Sequence, residues 1–275
     1  MGSRMKFSLL MSVYQYDNAS FFKQALQSIE ANSIKPTDFV LVCDGELTPE
    51  LDEIIEDYTS RLVINVLRLP HNVGLGRALQ TGVDKCKCEW VARFDADDIC
   101  VMDRFSKQIS FIKKNPDADV VGGQIIEFAN DPNEINARKK VVPTDHRKIA
   151  NYAKSRNPMN HMTVMIKKSA VLDSGSYQHA PLYEDYDLWV RMLIKGFKFA
   201  NSDDVLVYVR AGENMHERRG GLNYAKQEAK MQTSFYNIGF ISSIDLMRNL
   251  AIRIPIRLIP NRLRSLFYSV VLRKS

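Results

Sequence analysis

Several clusters in this 275-residue sequence combine polar side chains at spacings that could support chemistry. The densest is Arg93-Phe94-Asp95-Ala96-Asp97-Asp98. Three carboxylates so close together repel one another, and at a strand end that repulsion calls for a cation or hydrogen-bond donors to offset it. Asp95 and Asp97 can both be aimed into one cleft. Hard oxygen ligands at this spacing suit Mg²⁺ or Mn²⁺ shared with phosphate oxygens of a substrate. The same residues could instead form a solvated acidic turn before the helix that begins near Asp103. In Val42-Cys43-Asp44-Gly45, the Asp44 carboxylate can accept a hydrogen bond from a base N–H or a ribose hydroxyl, or can simply form an Asp-Gly turn. Asn72-Val73-Gly74-Leu75-Gly76-Arg77 opens a helix. Its glycines allow close backbone approach, helix N-terminal amides favour anions, and Arg77 could add a charge-assisted bond to phosphate.

A second acidic group lies in Tyr183-Glu184-Asp185-Tyr186-Asp187-Leu188-Trp189. Asp185, Trp189 and Met192 share one helical stripe. An acid beside a large ring in a partly dry pocket has its pKa raised towards that of a general base. Acids at a helix start also have a purely structural use, because they oppose the helix dipole. His161 follows the polar loop Asn157-Pro158-Met159-Asn160 and fits a structural role as readily as a chemical one. Arg218-Arg219-Gly220-Gly221 reads as a flexible basic loop able to close over a diphosphate. His216 is a candidate metal ligand that no spacing requires.

The elements that must position these groups alternate through the first half of the chain. Apolar runs at Phe7–Val13, Asp38–Cys43, Val63–Leu69 and Trp90–Phe94 predict strands, and helical periodicity marks Ala19–Ala31, Pro49–Tyr58, Leu75–Cys86 and Asp103–Lys114. Thr48 and Pro49 form a helix-start signal. This order implies an α/β fold, a mostly parallel sheet flanked by helices, whose ligands bind beyond the carboxyl ends of the strands. Beyond residue 119 the pattern is mixed. Short strands are expected at Val120–Phe128, Lys139–Val142, Thr163–Ile166 and Val205–Val209, with helices at Glu184–Lys195 and from about 221 to 237. The reading is one domain over residues 5–240 and a basic amphipathic, helical extension over 241–275.

Composition narrows the classes. At 45% hydrophobic and 25% charged residues, the chain can build a sizeable core. No apolar run is long enough for a transmembrane helix. Net charge is +6, yet residues 248–275 hold seven cations and no acid, so the remainder is nearly neutral. Leu263, Leu266, Phe267, Val270 and Val271 recur at helical spacing after Asn261, with Arg262 and Arg264 on the other side. Such a helix could lie in a membrane interface or dock on the protein's own core. No helix-turn-helix or RNA-binding motif occurs, which argues against nucleic acid. Cys43, Cys86, Cys88 and Cys100 lack the spacing of a disulfide framework or a zinc site and read as reduced thiols. The loop at 72–77 is not a dinucleotide fingerprint, and no P-loop is present.

Taken in order, Ser12-Val13-Tyr14, VLVCDG at 40–45, NVGLGRAL at 72–79, ARFDADDI at 92–99, NPMNHMTVM at 157–165, EDYDLW at 184–189 and RRGG at 218–221 resemble family 2 glycosyltransferases of the GT-A fold. The likeness is greatest to the bacterial amylovoran and O-antigen type with a DxDD motif. It implies inverting transfer of a hexose, glucose or galactose, from a UDP-sugar to an undecaprenyl-diphosphate-linked N-acetylhexosamine, with a β1,3 linkage. It implies Mn²⁺ or Mg²⁺ as cofactor and a place at the cytoplasmic face of the bacterial inner membrane. By position, Asp44 matches the acid on the nucleotide base, and Asp95 and Asp97 match the pair serving ribose and metal. Asp98 is the extra acid, and Asp185 matches the catalytic base. Tyr14, Asn72, Gly74, Arg77 and Ala96 complete the expected donor site, with Asp97 as metal ligand alongside Asp95 and His216. Glu184, Trp189, His161, Arg218 and Arg219 are expected on the acceptor side, Trp189 stacking on its sugar. Many relatives carry Arg-Asn where this chain has Leu79-Gln80, so Arg77 is the substitute phosphate ligand. Two rival readings are another nucleotide-sugar enzyme and a catalytically silent membrane adaptor of the same fold.

Overall fold

The computed structural model describes residues 5–134, 137–211 and 220–259. The apolar runs of the first half become β1 (Phe7–Val13), β2 (Asp38–Cys43), β3 (Ile64–Arg68) and β4 (Trp90–Arg93), which pair in parallel in the order β3-β2-β1-β4. Strands β1 and β2 are covered on both faces, which is why their sequences are nearly continuous apolar runs. Between the strands run α1 (Ala19–Glu30), α2 (Pro49–Thr59) and α3 (Leu75–Lys85). The side chains of Asn18 and Thr48 accept the amides of Phe21 and Leu51, capping α1 and α2.

The two-residue period of a strand sends neighbouring side chains of β1 to opposite faces. Phe7, Leu9 and Met11 meet Phe22, Leu26 and Ile29 of α1, Leu51 and Ile55 of α2, and Phe105 of α4 (Arg104–Lys114). Leu10 meets Leu79 and Val83 of α3 in the other core. That second core also takes in α5 (His146–Tyr152), α6 (Lys168–Asp173) and α7 (Glu184–Ile194) through Ile149, Val171, Leu188 and Trp189.

Beyond β4 the sheet becomes mixed. β5 (Ile99–Cys100), β6 (Val120–Phe128), β7 (Arg138–Lys140), β8 (Met165–Lys167) and β9 (Phe199–Arg210) extend it, and the order continues β4-β8-β6-β9-β5 with β7 on β6. β8 runs antiparallel to β4 and β6, while β9 runs parallel to β6. β9 is longer than its apolar run because Asn201 joins it, donating its side-chain amide to the carbonyls of Pro143 and Pro158. The strand expected from Thr163 begins later, since His161–Thr163 form a 3₁₀ turn.

The C-terminal part consists of α8 (Leu222–Asn237) and α9 (Ser243–Leu258), and the expected boundary at 240–241 falls in the turn between them. Glu228 of α8 is fully buried and accepts bonds from Arg253 (2.8 Å), Arg257 (3.1 Å) and the Tyr183 hydroxyl (2.8 Å). Two of the seven C-terminal cations are thus turned inward. The helix expected around Asn261–Val271 lies outside the described residues. Burial alone would raise the Glu228 carboxyl, but Arg253, the Tyr183 hydroxyl and Arg257 outweigh it and hold it below the usual glutamate range. Its stabilising contribution is therefore complete above the ordinary glutamate pKa and fades as pH falls through the lower folded value. Replacing Glu228 by Ala leaves two cations without their acid, and urea unfolding at neutral pH should show a loss of about 3 kcal/mol. An unchanged midpoint would contradict this role.

Candidate active site

Parallel strands bring the loops after β1, β2, β3 and β4 to one edge of the sheet, where ligands of such sheets bind. After β2, Asp44 is buried, and its two carboxylate oxygens accept the amides of Val73 (2.7 Å) and Gly74 (3.1 Å). The Asn72 side chain donates to the Asp44 carbonyl at 3.4 Å. Gly45 has φ +93°, and a Cβ there would lie 2.7 Å from the Asn72 nitrogen, so only glycine lets the two loops meet. Asp44 thereby clasps the loop that starts α3. Arg77 is exposed on the first turn of that helix, which no side chain caps. After β1, the Tyr14 amide donates to Asp17 at 2.9 Å. Burial, with added repulsion from Asp97 and Asp95, raises the Asp17 carboxyl to about 7.

After β4, one oxygen from each of Asp95, Asp97 and Asp98 lies within 4.8 Å of the others. Arg93, whose side chain is 3% exposed, pairs with Asp95 from beneath. Asp98 is buried. Its Oδ1 accepts the Arg210 amide at 3.0 Å, while its Oδ2 has no hydrogen-bond partner. The Arg210 guanidinium donates to the Asp97 carbonyl at 3.1 Å and lies 4.0 Å above the Phe21 ring. Burial and the Asp95 charge push Asp97 up to about 6, and they push Asp98 well above the usual carboxylate range. A buried, partnerless carboxylate oxygen within a set of hard donors is what a divalent cation satisfies, so these residues fit Mg²⁺ or Mn²⁺. Among the described residues this is the one such group of possible metal ligands. Ala96 does not present its side chain to a ligand, because its methyl packs into the core.

The second acidic group adjoins the first. A Cβ on Gly76 would lie 3.3 Å from the Glu184 Cβ and 2.6 Å from the Gln178 carbonyl, so α3 starts directly against the start of α7. Leu182, just before α7, takes φ +74°, which costs a non-glycine residue about 1 kcal/mol or more. The Asp185 carboxylate accepts the Asn157 side-chain amide at 2.6 Å and the Tyr186 amide at 2.7 Å. Burial raises its pKa, while those two bonds and the Arg93 charge resist. Glu184 is raised to about 7 by burial and by Asp185, and Arg93 opposes this too. Arg93 thus acts electrostatically on the acids of both loops.

Two expected acceptor contacts are corrected. Trp189 has no exposed surface; it packs edge-on against His161 and Phe199, so it cannot stack on a sugar. His161 is likewise buried. Its Nε2 lies 2.9 Å from the Tyr177 hydroxyl, and burial together with Arg93 keeps its pKa well below the ordinary value. It supports the floor of the site. His216, Arg218 and Arg219 lie outside the described residues. Arg93 and Asn157, read only as members of their motifs, enter the site with roles of their own, as do Asp17 and Arg210. A cation in an apolar strand run was the available signal for Arg93, whereas nothing in the spacing marked Asp17 or Arg210.

Comparison with known proteins places the chain in a family and a fold. Residues 8–178 match the family described as Glycosyl transferase family 2. The UDP-Gal:alpha-D-GlcNAc-diphosphoundecaprenol beta-1,3-galactosyltransferase of Escherichia coli is 37% identical over 269 residues, covering 98% of this chain and 97% of the relative. The amylovoran biosynthesis glycosyltransferase AmsE of Erwinia amylovora is 37% identical over 238 residues, covering 86% and 88%. Among solved structures, the mannosyltransferase PcManGT from Pyrobaculum calidifontis, in complex with GDP-Man and Mn²⁺, superposes with a TM-score of 0.67 at 14% identity, over 98% of this chain and 76% of that one. At such identity the likeness concerns architecture, and that architecture is the GT-A fold.

Because the folded state holds Glu184 at about 7, it binds a proton there that the unfolded chain releases. Stability therefore falls as pH rises from the ordinary glutamate range through 7. Glu184→Gln removes that penalty. It should stabilise the protein at pH ~8 by on the order of 2 kcal/mol, partial exposure included, and leave it unchanged near pH ~4. Urea midpoints at the two pH values measure the difference, and equal shifts at both would refute the burial argument.

Proposed function

The chain belongs to glycosyl transferase family 2, and from that premise we propose that it transfers a hexose, galactose or glucose, from its UDP-sugar to an N-acetylhexosamine on a polyprenyl diphosphate. The observation that carries this reading is the cluster of Asp95, Asp97 and Asp98 within 4.8 Å, tied to the buried Arg93 whose charge also acts on Asp185. The name of the Escherichia coli relative supports a UDP-galactose donor, a diphosphoundecaprenol acceptor and a β1,3 linkage. Mn²⁺ in the Pyrobaculum complex supports a divalent ion at Asp95, Asp97 and Asp98.

The reaction is a single displacement. Asp185 accepts the proton of the acceptor hydroxyl, whose oxygen bonds to the anomeric carbon as the bond from that carbon to the UDP oxygen breaks. Attack from the face opposite UDP turns an α-linked donor into a β-linked product. Asn157 holds Asp185 so that its remaining lone pairs face the incoming hydroxyl, and burial raises its basicity. A bound divalent ion would neutralise charge developing on the leaving diphosphate. The uncapped start of α3 and Arg77 add positive potential on the same side. Asp44 is the acid on the nucleotide base in this reading and also fixes the loop that opens α3, and Tyr14 borders the base. Arg218 and Arg219 are proposed to close over the diphosphate. A basic extension from residue 241 onward places the enzyme at the cytoplasmic leaflet, where a lipid-linked acceptor is reached. A silent adaptor is disfavoured, because the bond to the Arg210 amide leaves the buried Asp98 Oδ2 without a partner.

Asp185→Asn should retain UDP binding by calorimetry and lower kcat by roughly a thousandfold or more, in line with loss of a general base and its orientation. Asp97→Asn should weaken UDP binding in the presence of Mn²⁺, and EDTA should stop turnover until Mn²⁺ is restored. Full activity of Asp185→Asn would sink the base assignment, and full activity in EDTA would sink the metal role.

A further inference from the structure

A second polar surface lies away from the acidic cleft, on α5, the turn from α8 to α9, and α9 itself. Residues 146–156 carry Arg147, Lys148, Lys154 and Arg156 with no carboxylate, and none of the four cations has an ion pair among the described residues. A cavity of about 330 Å³ opens here, with Arg147, Asn151 and Lys154 on one side and Leu193 and Phe240 on the other. α9 runs beside it, because the Asn249 side chain donates to the Lys154 carbonyl at 2.8 Å and Arg253 donates to the Ser155 carbonyl. With Asn249, Arg253 and Arg257 turned inward, α9 presents Ile244, Met247 and Ile252 outward, each more than half exposed, and Leu258 continues the stripe.

An excess of cations, offset only by Asp145 at the cap of α5 and by Asp245 near Lys154, beside an exposed apolar helical stripe matches one kind of partner. A second copy of the same face would set cation against cation. A polyanion alone would leave the stripe in water. A bilayer with anionic headgroups satisfies both, with phosphate in the basic cavity and Ile244, Met247 and Ile252 at the acyl boundary. We propose that this face is the membrane-docking plate of the enzyme, and that its cavity seats a lipid headgroup phosphate. The proposal deepens the lipid-linked acceptor reading and rests on it for its purpose. The plate also connects to the chemistry through the chain, since Asn157, which holds Asp185, follows Lys154 by three residues.

The test uses the full-length chain and phosphatidylcholine vesicles with or without phosphatidylglycerol. Wild type should co-sediment with the anionic vesicles and much less with neutral ones. Arg147→Glu combined with Lys154→Glu, and separately Ile244→Asp combined with Met247→Asp, should each weaken partitioning about tenfold or more, with UDP binding unchanged. UDP binding also reports that each variant is folded; if the charge reversals fail that check, Arg147→Gln with Lys154→Gln replaces them. Wild-type vesicle binding by both folded pairs, or equal binding of wild type to neutral and anionic vesicles, would overturn the proposal. Hexose transfer to a lipid-diphosphate acceptor dispersed in detergent tests the functional reading separately, because it needs no bilayer.

Discussion

One guanidinium, that of Arg93, faces acids from two separate stretches of chain. Burial works against its charge, but Asp95 in particular outweighs that penalty and keeps it protonated. The Arg93 carbonyl is in turn held by Arg104, a fully buried cation that lies over the rings of Phe94 and Phe105 and bonds Gln108. Low dielectric makes each of these interactions strong and makes any unpartnered charge costly. The positive charge of Arg93 acts both on the close set at Asp95, Asp97 and Asp98, through its pair with Asp95, and on Glu184 and Asp185. Removing it would take away the charge that acts on both groups and leave Arg210 to Asp97 and Asp98 and Lys140 to Asp185.

The sheet supplies the other constraint. Four parallel strands present four loops at one edge, and the contacts among those loops are made largely by backbone. Asp44 grips two consecutive amides of the loop opening α3, and Gly45 lets that loop come close. Gly76 lets the same helix start abut α7. The loop after β2 and the acids on α7 are therefore fixed relative to each other through α3. In this chemistry, small errors in placement are costly.

Much of this was legible in the sequence, for identifiable reasons. The strands β1, β2 and β6 coincide with their apolar runs because burial on both faces demands such runs. The acids at strand ends stood out because their repulsion needs a cause. Long-range side-chain work was not legible. Arg104 sits in an ordinary amphipathic helix pattern, and nothing in its neighbours says that it turns inward. Trp189 on a stripe with Asp185 looked like an acceptor platform, yet helical spacing does not distinguish a face towards substrate from one towards the core. Asp17 and Arg210 reach the acidic set through tertiary folding alone. The short helices α5 and α6 carry too few periodic positions to be read.

The Tyr183 hydroxyl, at the threshold of α7, is fastened to Glu228, which waits for Arg253 and Arg257. Those arginines come late in translation, long after every carboxylate of the cleft has left the ribosome. During synthesis the acids of both loops therefore emerge before the cations that hold Glu228. A chain cut back before Arg253 would therefore carry the acids of both loops without the cations that hold Glu228 and, through it, the Tyr183 hydroxyl.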